Sequence, residues 1–339
     1  MSNNIRNNEN PYNILTKINK MDCGEKSVLI IGAGRIAYEY AIALSKLKIK
    51  NVTILGNSQK SLQKFKPFSN FEIISGGYES ELPNIRKKDL VIIATPIPML
   101  IKAAKIAIKN RQTRILIEKP GSVFKKDLKS LQSLIKKQKV RIAYNRIFYP
   151  SFHKLKQLVE KEGGITSCKF DFTEWVHTIE FEKYDDIIYQ RWGISNSLHV
   201  ISMAFELIGM PKEISSYQKG KFDWHPSGSI FVGSGISKKN IPFSYHANWN
   251  GGGRWGIEVV TKKSKYRLSP LEKLYRLPKG STEWSEIRLK EIFPKVKAGI
   301  TEEIAIMLND KFEKKVGMIS LQKAIEYNNL AEIIFGYYK

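Results

Sequence analysis

The chain has few cysteines and few histidines. Its 339 residues include two cysteines, Cys23 and Cys168, and five histidines. Two isolated thiols form no credible disulfide framework, and no group of His, Cys, Asp or Glu has the spacing of a metal site. The sequence therefore predicts two reduced thiols, no metal and a cytoplasmic location.

Long apolar runs are also absent. The longest candidate, from Leu90 to Ile108, is interrupted by two prolines and two lysines, so it is too polar to cross a bilayer. The first ten residues are rich in asparagine and lack the apolar core of a secretory signal. We expect no membrane association and interpret residues 1–25 as a flexible extension with a short helix around Tyr12 to Met21.

Acidic residues are scarce relative to basic ones. There are 32 Asp and Glu against 56 Lys and Arg, which gives a formal net charge of +24. Such a balance raises the question of nucleic-acid binding. The lysines are spread along the chain, however, as at Lys46, Lys48 and Lys50, in the pattern of solvated helix faces and ends. We expect no nucleic-acid groove, whereas an anionic small substrate would suit a positive cleft.

The first half of the chain alternates between apolar strands and helical periods. Strands separated by helices predict a Rossmann-type, doubly wound parallel sheet in an α/β domain over residues 26–146. The predicted strands are Ser27 to Ile31, Asn51 to Leu55, Phe71 to Ile74, Asp89 to Ala94, Arg114 to Ile117 and Val140 to Tyr144.

From about Ile147 the pattern changes to a helix followed by strands with long connections. It predicts a second, α+β domain over residues 147–339, built on a large open, mostly antiparallel sheet, with a last helix packing back on the first domain. Strands such as Tyr245 to Trp249 are expected to carry aromatics on the outer face of this sheet. Because an open face needs a cover, we expect a homodimer or homotetramer.

Gly32, Gly34 and Ala37 form a G-x-G-x-x-A fingerprint directly after the first strand. The first glycine permits a tight turn, the second lets the backbone approach a pyrophosphate, and the alanine lets the helix pack on the strand. The start of that helix, with Arg35 and Ile36, presents free amides to the phosphates. We predict a dinucleotide site at these residues.

The end of the second strand lacks the acidic residue that bonds the ribose hydroxyls in many NAD-binding folds. Gly56 stands there, followed by Asn57, Ser58 and Lys60. A carboxylate would repel a ribose 2′-phosphate, whereas amide, hydroxyl and ammonium groups can bind one. The sequence predicts a preference for NADP, with NAD as the alternative.

Two further motifs follow the fingerprint in order: Thr95-Pro96 at a strand end, then Glu118-Lys119-Pro120 after another apolar run. This order resembles the Gfo/Idh/MocA family of nicotinamide-dependent oxidoreductases, which act mostly on sugars, sugar derivatives and cyclitols. The resemblance implies that Lys119 touches substrate and cofactor. It also implies cofactor contacts for Thr95, Pro96, Glu118 and Asn145, the last near the nicotinamide pocket and the substrate.

The segment from Gly193 to Ser202 is similar to the family's histidine motif, but it lacks the acids. The family often has an aspartate four residues before the histidine and another acid three after it; here those positions are Ser195 and Ser202. The resemblance implies that His199 is a general acid or base. Asn196 would orient a ligand, and Arg191 would contact an anionic or ring-shaped substrate.

Together these patterns predict an NADP-preferring oxidoreductase with Lys119 and His199 as catalytic residues. The expected substrate is a sugar, amino sugar or nucleotide sugar, in a setting such as surface-glycan biosynthesis. Two alternatives stay open because the carboxylates are missing. One is an imine or unsaturated-bond reductase of the same fold, and the other is a non-catalytic dinucleotide-binding regulator.

Overall fold

A computed structural model of the chain describes residues 10–290 and 292–337 and contains two β-sheets. The strands are β1 (Ser27–Ile31), β2 (Asn51–Gly56), β3 (Glu72–Ser75), β4 (Leu90–Ile93), β5 (Arg114–Glu118), β6 (Lys139–Ala143), β7 (Ser167–Asp171), β8 (Pro211–Lys219), β9 (Ile230–Ser237), β10 (Pro242–Asn248), β11 (Gly256–Val260), β12 (Ser264–Leu268), β13 (Tyr275–Pro278), β14 (Ser285–Glu286) and β15 (Ile319–Ser320). The helices are α1 (Pro11–Leu15), α2 (Arg35–Lys46), α3 (Gln59–Leu62), α4 (Tyr78–Glu81), α5 (Ile97–Lys109), α6 (Lys125–Gln132), α7 (Pro150–Lys161), α8 (Asp186–Gln190), α9 (Leu198–Ile208), α10 (Ile300–Leu308), α11 (Asp310–Val316) and α12 (Leu321–Phe335).

The first sheet has the order β15-β6-β5-β4-β1-β2-β3. Strands β1 to β6 all pair in parallel, and β15 joins β6 antiparallel. The chain runs outward from β1 in one direction through β2 and β3, then in the other through β4, β5 and β6. The strand order therefore reverses beside β1, and the crevice at the carboxyl ends there is where such sheets bind ligands. The predicted parallel, doubly wound sheet is confirmed.

The second sheet has the order β14-β13-β12-β11-β7-β10-β9-β8. Only β7 and β10 pair in parallel among its described strands, so the predicted mostly antiparallel sheet is also confirmed. The glycine-rich segment at residues 251–253 lies in the turn between β10 and β11.

The aromatics of β10 face inward, contrary to the expectation. Tyr245 and Trp249, the residue just after β10, are 3% and 2% exposed, because Tyr245 packs on Phe170 and Trp249 packs on Phe335 of α12. The outer face carries instead polar and scattered side chains such as Ser234, His246 and the exposed Tyr217. The prediction that aromatics of this strand cover an outer interface is therefore wrong, and the oligomeric state stays a prediction.

Both ends of the described chain pack on the body of the protein. Ile14, Leu15 and Ile18 are buried, so residues 11–20 are packed rather than a loose extension; the rest of the predicted helix follows as a short 3-10 turn. Residues 1–9 lie outside the described part. At the other end, α10 packs on α2, β15 extends the first sheet, and α12 contacts both α6 and β8. The region after residue 299 therefore contacts the first domain as well as the second. No described helix is long and apolar enough to cross a membrane.

We predict that the contact between Gly193 and Phe335 is required for stability. A Cβ on Gly193 would lie 2.3 Å from the Phe335 ring, which is fully buried at the end of α12. Gly193→Ala should lower the free energy of unfolding by about 2 kcal/mol, the scale of overpacking a core. Gly252→Ala is the matched control, because a Cβ there meets no atom within 4 Å. Equal denaturation midpoints for the two variants would contradict this packing.

Candidate active site

A cleft of about 640 Å³ lies between the carboxyl ends of the first sheet and the segment from Lys183 to Asn196 of the second domain. Most of the predicted site residues line it. These are Gly32, Gly34, Arg35, Ile36, Asn57, Ser58, Thr95, Pro96, Glu118, Lys119 and Asn196. Residues from separate strands therefore meet at one edge, as expected for parallel strands that end side by side.

Glycine is required at the two fingerprint positions for different physical reasons. Gly32 has φ of +119°, and a Cβ there would lie 2.5 Å from the carbonyl oxygen of Ala94. Gly32 therefore makes the turn possible, because another residue would strike the neighbouring strand. Gly34 has open space on its Cβ side, with no atom within 4 Å, and it begins α2 without a side-chain cap. Open space beside uncapped helix amides fits a pyrophosphate.

The end of β2 is neutral and closely packed. Asn57 and Ser58 line the cleft, whereas the exposed Lys60 does not. A Cβ on Gly56 would lie 2.9 Å from the Leu62 side chain, so this glycine also serves local packing. Of the described residues that line the cleft, Glu118 is the acidic one, and it comes from β5 rather than β2. The β2 end therefore offers a ribose phosphate no repelling carboxylate.

Thr95 presents an unsatisfied hydroxyl to the cleft. Its Oγ1 is buried and has no hydrogen-bond partner within the described ranges. Buried polar atoms are normally satisfied, and an exception needs an explanation. A ligand lying along the carboxyl edge of β4 would supply the missing partner.

Lys119 is the charged group at the inner end of the cleft. Its side chain is 8% exposed, and Nζ donates to the backbone carbonyl of Ser195 across the domain boundary and, at 3.5 Å, to that of Asn196. Burial, with a smaller contribution from Arg146, lowers its pKa to about 7, against the opposing effect of nearby carboxylates. The amine can therefore gain or lose a proton near neutral pH.

Glu118, beside this lysine, shares a tyrosine with a second carboxyl group. The hydroxyl of Tyr40 lies 2.6 Å from Glu118 Oε1 and 2.9 Å from Glu303 Oε1. One hydroxyl proton cannot satisfy two carboxylates, so one carboxyl group carries a proton. Burial raises the pKa of both carboxyl groups, but it raises that of Glu303 well above its ordinary value, which favours the proton on Glu303. Glu118 then remains available as the anion that favours the charged form of Lys119.

His199 lies on α9, half-buried between the rings of Tyr144 and Trp255 at 6.4 and 6.1 Å. Burial lowers its pKa well below the usual range, and three cations, Lys119 first among them, add to this effect. The imidazole is therefore neutral at pH 7. Its Nδ1 is buried without a partner among the described residues.

The serines at the family's acidic positions do not pair with the imidazole. Ser195 Oγ donates back to the carbonyls of Ile188 and Trp192, and Ser202 Oγ donates to the carbonyl of His199. These are contacts within the local helical turns, so they cannot replace carboxylate partners of the ring.

Glu174 is a site residue that the sequence reasoning missed. It follows β7, is 3% exposed, and accepts hydrogen bonds from Ser197 Oγ (2.5 Å) and Asn196 Nδ2 (2.9 Å). It also raises the pKa of Lys119. A single glutamate after a strand carries no motif, so only the folded contacts reveal it. Glu174 therefore supplies a carboxylate near Lys119 from the end of β7, whereas the family pattern places its carboxylate beside the histidine.

Two residues predicted to contact substrate, Asn145 and Arg191, have internal hydrogen-bond partners. Asn145 Nδ2 donates to the carbonyl of Ala298 at 2.8 Å. Arg191 donates to the Val123 carbonyl and to Glu332 at 2.9 and 3.0 Å. Neither of them is among the residues that line the cleft, and nor is His199, so the substrate contacts of all three stay predictions. In the described ranges, no three His, Cys, Asp or Glu side chains could hold a metal ion.

Comparison with known families gives a match over the first domain. The Gfo/Idh/MocA profile, described as an oxidoreductase family with an NAD-binding Rossmann fold, matches residues 26–146. A search of curated proteins gave no match. The family resemblance seen in the sequence motifs is therefore confirmed for the dinucleotide-binding domain.

Solved structures with the same fold cover nearly the whole chain. A levoglucosan dehydrogenase in complex with NADH and L-sorbose has 16% identity and a TM-score of 0.73, over 92% of this chain and 96% of that one. A UDP-N-acetylglucosamine 3-dehydrogenase from Acidithiobacillus ferrooxidans has 12% identity and a TM-score of 0.70, over 93% and 99%. An Agrobacterium radiobacter oxidoreductase in complex with NAD+, L-tartaric acid and magnesium has 14% identity and a TM-score of 0.72, over 92% and 96%. At these identities the likeness establishes the fold alone.

The two fingerprint glycines should respond differently to substitution. Gly34→Ala should leave the melting temperature nearly unchanged, since its Cβ enters open space, yet it should weaken dinucleotide binding by obstructing the approach of the pyrophosphate. Gly32→Ala should lower the melting temperature because of its positive φ and its contact with the Ala94 carbonyl. Calorimetry and cofactor fluorescence titration on both variants measure this. Unchanged cofactor affinity in a folded Gly34→Ala protein would contradict the assignment.

Proposed function

We propose the reaction on the premise that the first domain of this chain, residues 26–146, matches the Gfo/Idh/MocA family of oxidoreductases with an NAD-binding Rossmann fold. The protein transfers hydride between NADP and a carbinol or carbonyl carbon of a sugar, amino sugar or nucleotide sugar. The observation that carries the proposal is Lys119, a buried amine with a pKa of about 7 at the inner end of the dinucleotide cleft. The structural neighbours described as acting on levoglucosan and on a UDP-sugar support the substrate class.

The residues of the cleft fit a dinucleotide. The turn at Gly32 and Gly34 receives the pyrophosphate at the start of α2, and Thr95 donates its unsatisfied hydroxyl to the ligand. Asn57 and Ser58 take the ribose end. Bound there, NADP supplies the hydride acceptor or donor. The role of the protein is to bind and orient the cofactor and the substrate and to move a proton.

Lys119 moves that proton. In the oxidative direction the neutral amine accepts the proton of the substrate hydroxyl, and in the reductive direction the ammonium donates one to the forming hydroxyl. Burial lowers the pKa of the amine, while Glu118 and Glu174 raise it. These opposing effects keep both protonation states populated near pH 7. His199, being neutral, contributes a hydrogen bond to the substrate rather than a charge.

The NADP preference rests on the uncharged end of β2. A 2′-phosphate placed at Asn57 and Ser58 meets amide and hydroxyl groups, with Arg35 also on the cleft wall. A carboxylate at this place would repel that phosphate by several kcal/mol at short range in a partly screened site. We therefore propose NADP as the cofactor, bound through its adenosine 2′-phosphate at this wall.

Reduction of an imine or another unsaturated bond is the second candidate. The observation that favours it is His199, which has no carboxylate partner among the described residues and stays neutral. An ammonium at Lys119 is by itself a sufficient acid for a reduction. A panel of both substrate kinds distinguishes the two reactions.

Lys119 should set the pH dependence of turnover. The Lys119 amine accepts a proton only when it is neutral and donates one only when it is charged. We therefore predict that oxidation speeds up as pH rises through about 7, whereas reduction slows over the same range. Lys119→Arg stays charged, so it should lose about 10²-fold or more in kcat, the scale of a lost positioned acid or base. His199→Ala should lose activity while its cofactor affinity stays near the native value.

These rates are measured between pH 5.5 and 9 on the best substrate from a panel of sugars, nucleotide sugars and imines. Lys60→Arg is the control, since that exposed lysine lies outside the cleft lining. Full activity in Lys119→Arg would refute the proton role. Absence of turnover with every substrate, together with tight cofactor binding, would favour a dinucleotide-binding regulator instead.

The cofactor preference is tested at Asn57. The native protein should bind NADPH more tightly than NADH, and Asn57→Asp should reverse that order by at least about tenfold, or about 1.4 kcal/mol, through repulsion of the 2′-phosphate. Asn57 suits this test better than Gly56, whose Cβ would collide with Leu62. Asn70→Asp makes the same chemical change at an exposed position outside the cleft lining. Tighter binding of NADH by the native protein, in the same fluorescence titration, would overturn the preference.

A further inference from the structure

Arg146 is a half-buried arginine without a polar partner. It lies in the 3-10 turn Asn145–Phe148, where the chain passes from the first domain to the second. The guanidinium carbon lies 4.4 Å from the centroid of the Trp255 ring. Throughout residues 10–290 and 292–337, however, the guanidinium has neither an ion pair nor a hydrogen bond. An arginine has five N–H donors, so a partly buried one normally finds acceptors.

Neighbouring arginines show what Arg146 lacks. Arg254 lies over the same Trp255 ring at 4.6 Å, yet it also pairs with Glu174 at 3.4 Å. Arg191 stacks on Tyr337 and pairs with Glu332 at 3.0 Å. Each of these guanidinium groups has both a ring and a carboxylate. Arg146 has the ring alone.

The surroundings of Arg146 are cationic. Arg146, Lys119 and Lys297 all lower the pKa of His199, so the three positive groups lie within electrostatic reach of one imidazole. Lys297 directly precedes Ala298, the residue that Asn145 holds by its carbonyl. Like charges gathered in a partly buried site repel one another, and an anion entering among them would remove that repulsion.

The nearby carboxylates accept hydrogen bonds from other residues and not from Arg146. Glu118 accepts its hydrogen bond from Tyr40, and Glu174 accepts from Ser197, Asn196 and Arg254. The stacking of Arg146 on Trp255 holds the guanidinium plane without using its N–H groups. Those donors are therefore free to form the paired hydrogen bonds that a carboxylate or phosphate accepts.

We propose that Arg146 binds an anionic group, a carboxylate or a phosphate, carried by the substrate close to its reacting carbon. Arg146 and His199 lie beside the same Trp255 ring, at 4.4 and 6.1 Å, so an anion held by Arg146 would be close to the histidine. This inference rests on the proposed function for the position of the reacting carbon. It narrows the substrate class to sugar acids and phosphorylated sugars, the latter including nucleotide sugars.

The test uses the full chain saturated with NADP, so that added anions cannot occupy the pyrophosphate site. Inorganic phosphate, acetate and uncharged D-glucose are titrated at constant ionic strength by isothermal calorimetry. Arg146→Gln removes the charge, and Arg267→Gln is the matched control. Arg267 also lies over a tryptophan, Trp284, at 4.3 Å and has no polar partner among the described residues, but it is not one of the cations that act on His199. Phosphate or acetate should bind the native protein and the control, and at least about tenfold more weakly to Arg146→Gln.

The two anions separate the two classes of substrate, since tighter phosphate binding indicates a phosphorylated sugar and tighter acetate binding a sugar acid. Native-like anion binding by Arg146→Gln, or no binding of either anion to the native protein, would overturn the inference. A fluorescence titration with NADPH on the same samples reports on the proposed function separately. If the native protein does not bind NADPH, the proposed function is refuted. The difference in anion affinity between the native protein and Arg146→Gln can still be measured in that case.

Discussion

The bond from Lys119 to the Ser195 carbonyl is the contact on which the site depends. It joins the end of β5 in the first domain to the turn before α9 in the second. Burying an ammonium group is costly, and backbone carbonyls repay less of that cost than a carboxylate would. The pKa of the amine therefore falls toward neutrality, and the same contact fixes the amine between the two domains.

The local fold makes that carbonyl available. Residues Gly193–Ser197 form a π-helical turn, a form that widens the helix and often occurs at functional sites. The turn is held from behind, because Gly193 lies against the Phe335 ring and donates its N–H to the Tyr337 hydroxyl at 3.0 Å. The last helix thus supports the site without lining the cleft. Packing far from the chemistry determines where the Ser195 carbonyl points.

The sequence predicts the first sheet better than the second for a physical reason. Strands such as β4, buried on both faces, are continuous apolar runs and are visible without any tertiary knowledge. Strand β8 has no fully buried residue, so its composition does not distinguish it from a loop. For β10 the alternation of buried and exposed residues is clear, but alternation cannot say which face meets the helices. The wrong face was therefore assigned to Tyr245 and Trp249.

In the site, too, the sequence predicts roles that depend on neighbouring residues and misses roles that depend on contacts between distant parts of the chain. The fingerprint glycines and Lys119 are recognisable because their roles depend on adjacent residues in a strand and turn. The internal role of Arg191 is not, since Glu332 is 141 positions away in the chain. Glu174 and Arg146 likewise acquire meaning only from contacts between domains.

The relocation of one carboxylate bears on which group moves the proton. In the family pattern an aspartate stands beside the histidine, and this chain has Ser195 there. Glu174 brings a carboxylate close to Lys119 from the end of β7 instead, and it leaves the imidazole of His199 unpaired. A histidine without an anion, among three cations, cannot hold a proton at neutral pH. A lysine that two carboxylates partly restore toward its charged form can, and this difference is why we propose Lys119 as the proton carrier.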